Sequence, residues 1–236
     1  MKIGIFAYNF EHKKTQEGLL NLFLGGYKPE CIFAADPVPL TFYQSKIRIA
    51  PKGLHYTHPR EIAKKLDIPY YVVIHNSDEC KKLIEEHQLD VGVILGARIL
   101  KKKVISAFKI GVLNLHPGLI PQNRGLDNLK WAILKGYKQG VTAHLINEKV
   151  DHGSIILQKE IDVFPDDTLL DVHLRIQDME QFLMIESLKL MKQGNIAFKE
   201  VGKDISEGNY YRAVPQEEEA NLFEKFAEYK KIYHTL

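Results

Sequence analysis

The sequence predicts an α/β fold: a mostly parallel, twisted sheet with helices on both faces and a small C-terminal extension. Three observations predict it. Apolar runs at residues 2–8, 30–35, 70–74, 90–96 and 111–115 have the length and residue types of buried strands. Segments with helical spacing or capping residues separate them, and that alternation requires parallel strands covered on two sides. Two further β-like runs, 140–147 and 154–162, flank Asp151-His152-Gly153 as a hairpin added to the sheet.

The elements follow in order. The first strand ends at Asn9, and Leu19, Leu20, Leu22 and Phe23 give residues 15–25 a helical pattern. Asp36-Pro37 stops the second strand, and residues 37–57 are irregular. His58-Pro59 opens a helix through Leu66, with proline at an allowed first-turn position. Ser77-Asp78-Glu79 offers a cap and early acidic charge to a helix through His87. Residues 101–107 form a short basic helix, and Gly125 to Leu134 a longer one that ends at Gly136. Asp166-Asp167-Thr168 caps a long amphipathic helix to about Met191; a strand near 196–201 and a charged helix near 216–234 complete the chain. Residues 1–195 thus form the main unit, and 196–236 a strand–helix appendage.

Composition narrows the class. The 236 residues are 45% hydrophobic and 26% charged, ordinary for a globular domain. With 32 basic against 30 acidic residues, the net charge of +2 advertises no nucleic acid or anionic membrane. Cys31 and Cys80 form no CxxC pair and read as free thiols of a reducing compartment. The N-terminus does not read as a signal peptide, and no apolar run approaches the roughly 20 residues that span a bilayer. A cytoplasmic location is expected.

The densest chemistry lies at the end of the fifth strand, where open parallel sheets usually bind ligands. Asn114 and His116 are two apart in a strand and so share one face, before Pro117-Gly118 turns the chain away. If the Asp151 hairpin folds back toward His116, a carboxylate can orient that imidazole. Acyl transfer to an amine uses such parts: a base, an oxyanion donor and an orienting carboxylate. Taken singly, Asn114 also suits a strand-edge hydrogen bonder, His116 a loop histidine and Asp151-His152-Gly153 a plain turn. His116, His144, His152 and His173 lack metal-site spacing, and no metal is expected.

Taken together, the motifs resemble those of the folate-dependent formyltransferase family. They are Asn114, His116, Pro117 and Pro121; Arg124-Gly125; Gly140-Val141-Thr142 with His144; and Asp151, Gly153 and Ile155. The upstream run Leu95-Gly96-Ala97-Arg98-Ile99-Leu100 is also similar, and the resemblance covers about residues 68–195, a Rossmann-like catalytic core. It implies 10-formyltetrahydrofolate as donor, and Asn114, His116 and Asp151 as the catalytic residues. By position it places the pterin pocket at Arg98, Ile99 and Leu100 and at the loop carrying Asn147 and Val150. Core packing is the plain alternative for Ile99, Leu100 and Val150.

The acceptor is read by elimination within that resemblance. Members that formylate glycinamide ribonucleotide have a glycine-rich phosphate loop after the first strand; here Tyr8-Asn9-Phe10-Glu11 stands there. Members that formylate initiator methionyl-tRNA carry a further basic C-terminal domain for which this chain is too short. Formyl-folate hydrolases carry an extra N-terminal domain. What remains resembles the compact sugar N-formyltransferases, which act on a nucleotide-linked amino sugar; family habit suggests a 4-amino-4,6-dideoxyhexose. Tyr8, Asn9 and Phe10 are the residues expected to grip the sugar, and Arg124 the diphosphate; core packing and a loop brace are their alternatives. The C-terminal piece around Tyr210-Tyr211-Arg212 either closes the acceptor cleft or forms a homodimer interface.

Overall fold

The computed structural model describes residues 1–39, 45, 47, 49, 53–149, 151–194, 196, 198–201, 203–206 and 208–233. In chain order the elements are β1 (Ile3–Tyr8), α1 (Lys13–Leu24), β2 (Cys31–Ala35), α2 (Pro59–Lys65), β3 (Tyr70–Val72) and α3 (Asp78–His87). Then come β4 (Val91–Ile94), α4 (Lys102–Ile105), β5 (Gly111–His116), β6 (Arg124–Gly125), α5 (Asn128–Lys135), β7 (Gly140–Leu145) and β8 (Ser154–Glu160). The chain continues through α6 (Leu169–Gln193), β9 (Lys199–Glu200), β10 (Tyr210–Tyr211), α7 (Gln216–Glu219) and α8 (Leu222–Tyr233).

The main sheet runs β3-β2-β1-β4-β5-β7-β8-β9. Neighbours from β3 to β5 are parallel, whereas β7, β8 and β9 add antiparallel edges. The order reverses between β1 and β4, so the connections leaving those strands part and open a crevice. This is the Rossmann-like arrangement expected, with the predicted hairpin present as β7–β8.

Strand alternation sorts the core onto the two faces. Ile3, Ile5 and Ala7 of β1 and Leu113 and Leu115 of β5 join one buried cluster with Leu19 and Leu22 of α1 and Leu183 and Leu188 of α6. Phe6 and Val112 point the other way, into a second cluster with Phe33, Leu100, Val104 and Phe108. Asn114 and His116 therefore share the Val112 side, and the two faces of β5 divide packing from chemistry.

Capping follows the sequence. The Ser77 hydroxyl accepts the Cys80 N–H at 3.1 Å. Thr168 and Asp171 form a reciprocal capping box on α6. Asp167, grouped with that cap in the sequence, instead pairs with Arg175 at 2.7 Å.

Two expectations change. The helix expected from Gly125 begins at Asn128, because Arg124 and Gly125 form β6 and pair in parallel with Tyr210–Tyr211. The single helix expected near 216–234 is two, α7 and α8, with Leu222, Phe226 and Tyr229 in the first core cluster. No helix among the described residues is long and apolar enough to cross a membrane.

Candidate active site

A cleft of about 720 Å³ opens beyond the carboxyl ends of β1, β4 and β5. Asn114, His116 and Asp151 all line it. The His116 Nδ1 lies 3.3 Å from Asp151 Oδ1, and the His116 Nε2 lies 2.8 Å from the Asn123 carbonyl. Asp151 has a φ of 48°, a left-handed conformation that aspartate tolerates better than most residues. Its Oδ2 accepts the Gly125 N–H at 2.9 Å, which fixes the carboxylate between β6 and His116. Burial alone pushes the Asp151 carboxyl up; the His116 ring, His144 and the Gly125 N–H outweigh it and hold the group at about 2. At neutral pH Asp151 is therefore a carboxylate.

His144 of β7 completes the cluster. Complete burial brings its ring down to about 4, although Asp151, 3.8 Å away, opposes the shift. A neutral ring keeps a lone pair, and its Nε2 stands 3.2 Å from the Asn114 Nδ2. That contact turns the amide nitrogen of Asn114 toward His144. One N–H is used there, and the second remains for the cleft.

The loop between β5 and β6 is braced from β7 and β8. The Thr142 hydroxyl donates to the Gly118 carbonyl at 2.7 Å and accepts the Ile120 N–H at 3.1 Å. Gln158 donates to the Ile120 carbonyl at 2.6 Å. From the other side the C-terminal segment laces onto the loop: Leu126 N–H donates to the Tyr211 carbonyl at 3.0 Å, and the Trp131 indole to the Arg212 carbonyl at 2.7 Å. Gly125, at φ 102°, must be glycine, since a Cβ there would lie 2.0 Å from the Tyr211 oxygen.

The cleft also gathers Arg98, Ile99, Leu100 and Asn147. Ile99 is 68% exposed there, whereas Leu100 is buried in the second core cluster as well as touching the cleft. The Asn147 amide is used locally, donating to the His152 carbonyl and accepting the Lys149 N–H at 2.9 Å. Val150 lies outside the described residues. Tyr8 lines the cleft, its hydroxyl donating to the Ala97 carbonyl at 3.0 Å and its ring stacked on Phe10 at 4.9 Å. Asn9, Phe10 and Arg124 are not among the lining residues. The Asn9 side chain donates to Asp36 at 2.6 Å and accepts from Tyr70 at 2.8 Å, while Arg124 is buried in β6.

Residues that local pattern did not single out also form this site. Asn76 holds the 99–101 segment, donating to the Ile99 carbonyl at 2.9 Å and accepting the Lys101 N–H at 2.7 Å. Leu126 forms part of the wall, as does the half-exposed Tyr210, which belongs to the C-terminal piece that the sequence offers for closing the cleft or for a homodimer interface. Among the described residues no group of three or more His, Cys, Asp or Glu side chains is placed to hold a metal ion.

The buried neutral His144 makes acid stability a test. Its folded value, about 4, lies below the ordinary 6.5, so between those values the unfolded chain takes up a proton that the folded ring refuses. Stability is fully present above pH 6.5 and falls as pH drops toward 4, by about 3 kcal/mol from this group. Burial lowers His75 too, and it adds to the same trend. Urea unfolding at pH 7.5 and 4.5 should show the loss, with a shallower slope in His144→Gln. An equal slope in both proteins would contradict a neutral His144.

The doubly wound sheet, and an amide, an imidazole and a carboxylate over its carboxyl edge, define the class as a Rossmann-like domain with a preorganised polar centre. The chain belongs to the formyl transferase family, which it matches over residues 55–188. It is 33% identical over 159 residues to the methionyl-tRNA formyltransferase of Fusobacterium nucleatum, covering 65% of this chain and 51% of that protein. It is 30% identical over 148 residues to the phosphoribosylglycinamide formyltransferase of Haemophilus influenzae, covering 58% and 70%. The chain spans about half the length of the first curated relatives it matches. In fold it is similar to the formyltransferase PseJ of Anoxybacillus kamchatkensis, solved in complex with UDP-4,6-dideoxy-4-formamido-L-AltNAc and tetrahydrofolate. That likeness has a TM-score of 0.53 at 24% identity and covers 70% of this chain and 84% of that one.

Proposed function

We propose that this protein transfers the formyl group of 10-formyltetrahydrofolate to the amine of a nucleotide-linked amino sugar. One observation carries the reading: Asn114, His116 and Asp151, distant in sequence, line a single cleft with His116 and Asp151 3.3 Å apart. The donor supplies a formyl carbon on a nitrogen that can leave. The apolar Ile94, Ile99, Leu100 and Ile146, with the carbonyls and amides of the loops beside them, suit a flat heterocycle. Asn114 offers its second amide N–H to the formyl oxygen as negative charge gathers there. The attacking amine nitrogen bonds to the formyl carbon and releases a proton to the Asp151–His116 pair; as the tetrahedral intermediate collapses, the bond from the formyl carbon to the donor nitrogen breaks and that proton is returned to the donor nitrogen.

Two features support a sugar acceptor. The turn after β1 presents the stacked Tyr8–Phe10 pair in place of a glycine nest for a free phosphate. The PseJ neighbour was solved with a nucleotide-linked formamido sugar. Two other acceptors are favoured by the sequence relatives, which are named for methionyl-tRNA and phosphoribosylglycinamide. Incubation with 10-formyltetrahydrofolate and nucleotide-linked amino sugars, glycinamide ribonucleotide or methionyl-tRNA, read by mass, separates them. The expected result is the gain of one formyl group on a 4-amino sugar. Gain confined to either other acceptor moves the assignment there, and formate release alone makes the protein a hydrolase.

A further inference from the structure

We propose that Asn128 is a positioning residue for His116, forming with the Asn123 carbonyl a donor–acceptor pair that seats the ring Nε2 in both of its protonation states. The proposal rests on the reading of His116 as the group that takes and returns a proton. Such a group has a structural difficulty. A buried ring nitrogen needs an acceptor when it carries hydrogen and a donor when it does not, and a single partner leaves one state unsatisfied.

The structure supplies both partners at one atom. The His116 Nε2 is 2.8 Å from the Asn123 carbonyl oxygen and 3.2 Å from the Asn128 Nδ2. The same Nδ2 donates to the Asn123 carbonyl at 2.9 Å, and the Asn123 amide donates to the Asn128 carbonyl at 2.8 Å. The two asparagines thus hold each other while holding the ring. All three residues are buried, and His116 is 3% exposed. Gly118 leaves the room: a Cβ there would lie 2.5 Å from the Asn123 oxygen, 2.9 Å from Nε2 and 3.1 Å from the Asn128 Nδ2. With Nε2 protonated, its hydrogen goes to the Asn123 oxygen. With Nε2 bare, one Asn128 hydrogen turns to it. The charged and titratable groups facing the ring are Asp151 from the β7–β8 connection, at Nδ1, and His144 of β7, edge-on with ring centres 6.4 Å apart. The loop before β6 and the start of α5 contribute only uncharged groups at Nε2.

The test replaces the donor and follows the ring directly. Asn128→Asp keeps the size and offers only acceptors, and Asn128→Ala removes the amide. In ¹⁵N-labelled protein, the His116 ring should titrate at higher pH in Asn128→Asp, by about 1 pH unit for an added carboxylate at this distance. Asn128→Ala should move the same way by less, because the bare ring loses its donor. The acid limb of the kcat profile should move with the ring, while KM for donor and acceptor stays within about twofold, and a purely structural role would leave the limb in place. Unmoved ring titration in either folded variant overturns the proposal. Ring titrations that shift as described in the two variants of a protein without formyl transfer leave the seat intact and remove the reading of its purpose; an active enzyme with unmoved variants removes the seat alone.

Discussion

His116→Ala is expected to lower kcat about 10³-fold, within the range for losing a general acid–base group. The variant removes the ring proposed to receive the amine proton and the partner that keeps Asp151 ionised in a buried position. It also takes the ring away from the Asn123 carbonyl and the Asn128 amide, which keep their bonds to each other, so the loss of stability comes mainly from the vacated space. A domain of ordinary stability tolerates that loss, so a cooperative melt at a modestly lower temperature should accompany the inactive protein. The KM for the donor should change little, because the residues proposed to hold the pterin, Arg98–Leu100 and the loop at Asn147, line the cleft and are unaltered. A folded variant that turns over within tenfold of wild type would remove His116 from the chemistry.

Asp151→Asn comes second, with an expected loss of about 10²–10³-fold in kcat. The exchange is gentle on the backbone, since asparagine also accepts the left-handed conformation at φ 48°. An amide oxygen can still accept the Gly125 N–H, so the β6 anchor survives. What disappears is the negative charge facing His116 Nδ1. With the charge removed and the shape retained, lost turnover with a cooperative melt at a modestly lower temperature at neutral pH is the expected signature, since the carboxylate's own contribution to stability goes with it. Stability at low pH separates the two roles: the carboxylate contributes above about pH 4, and that contribution fades as pH falls toward 2 in wild type only. Normal turnover in Asp151→Asn would mean that the carboxylate is a loop brace and nothing more.

How much of this was legible in the sequence depends on the range of the signal. The strands of the sheet carry short apolar runs, and Ser77 and Thr168 mark helix starts locally, so the architecture is readable residue by residue. Asn114 and His116 are readable as a pair because a strand has period two. Asp151 is readable as a turn residue, and only the folded chain brings it to His116. The pairing of β6 with β10 is not readable: each strand has two residues, too few for any period, and they lie far apart in the chain. That pairing moved the start of α5 from Gly125 to Asn128 and brought Tyr210 to the cleft wall. Burial is equally hidden. Arg124 looks like an exposed phosphate ligand in the sequence and is buried in β6, and the Asn9 amide is taken by Asp36 and Tyr70. The role of His144 needs its complete burial and its contact with Asn114, neither of which a strand alternation states.

The proposed transfer requires that Asn114 receive one carbonyl group beside the His116–Asp151 pair. A crystal structure of Asp151→Asn soaked with 10-formyltetrahydrofolate tests that directly, since the slowed variant holds the donor long enough to be seen. The predicted result is a formyl oxygen about 3 Å from the Asn114 Nδ2, the distance of an oxyanion donor, with the formyl carbon facing the residue 151 side chain. A donor bound with its formyl group away from Asn114 and His116, or bound outside this cleft, would contradict it.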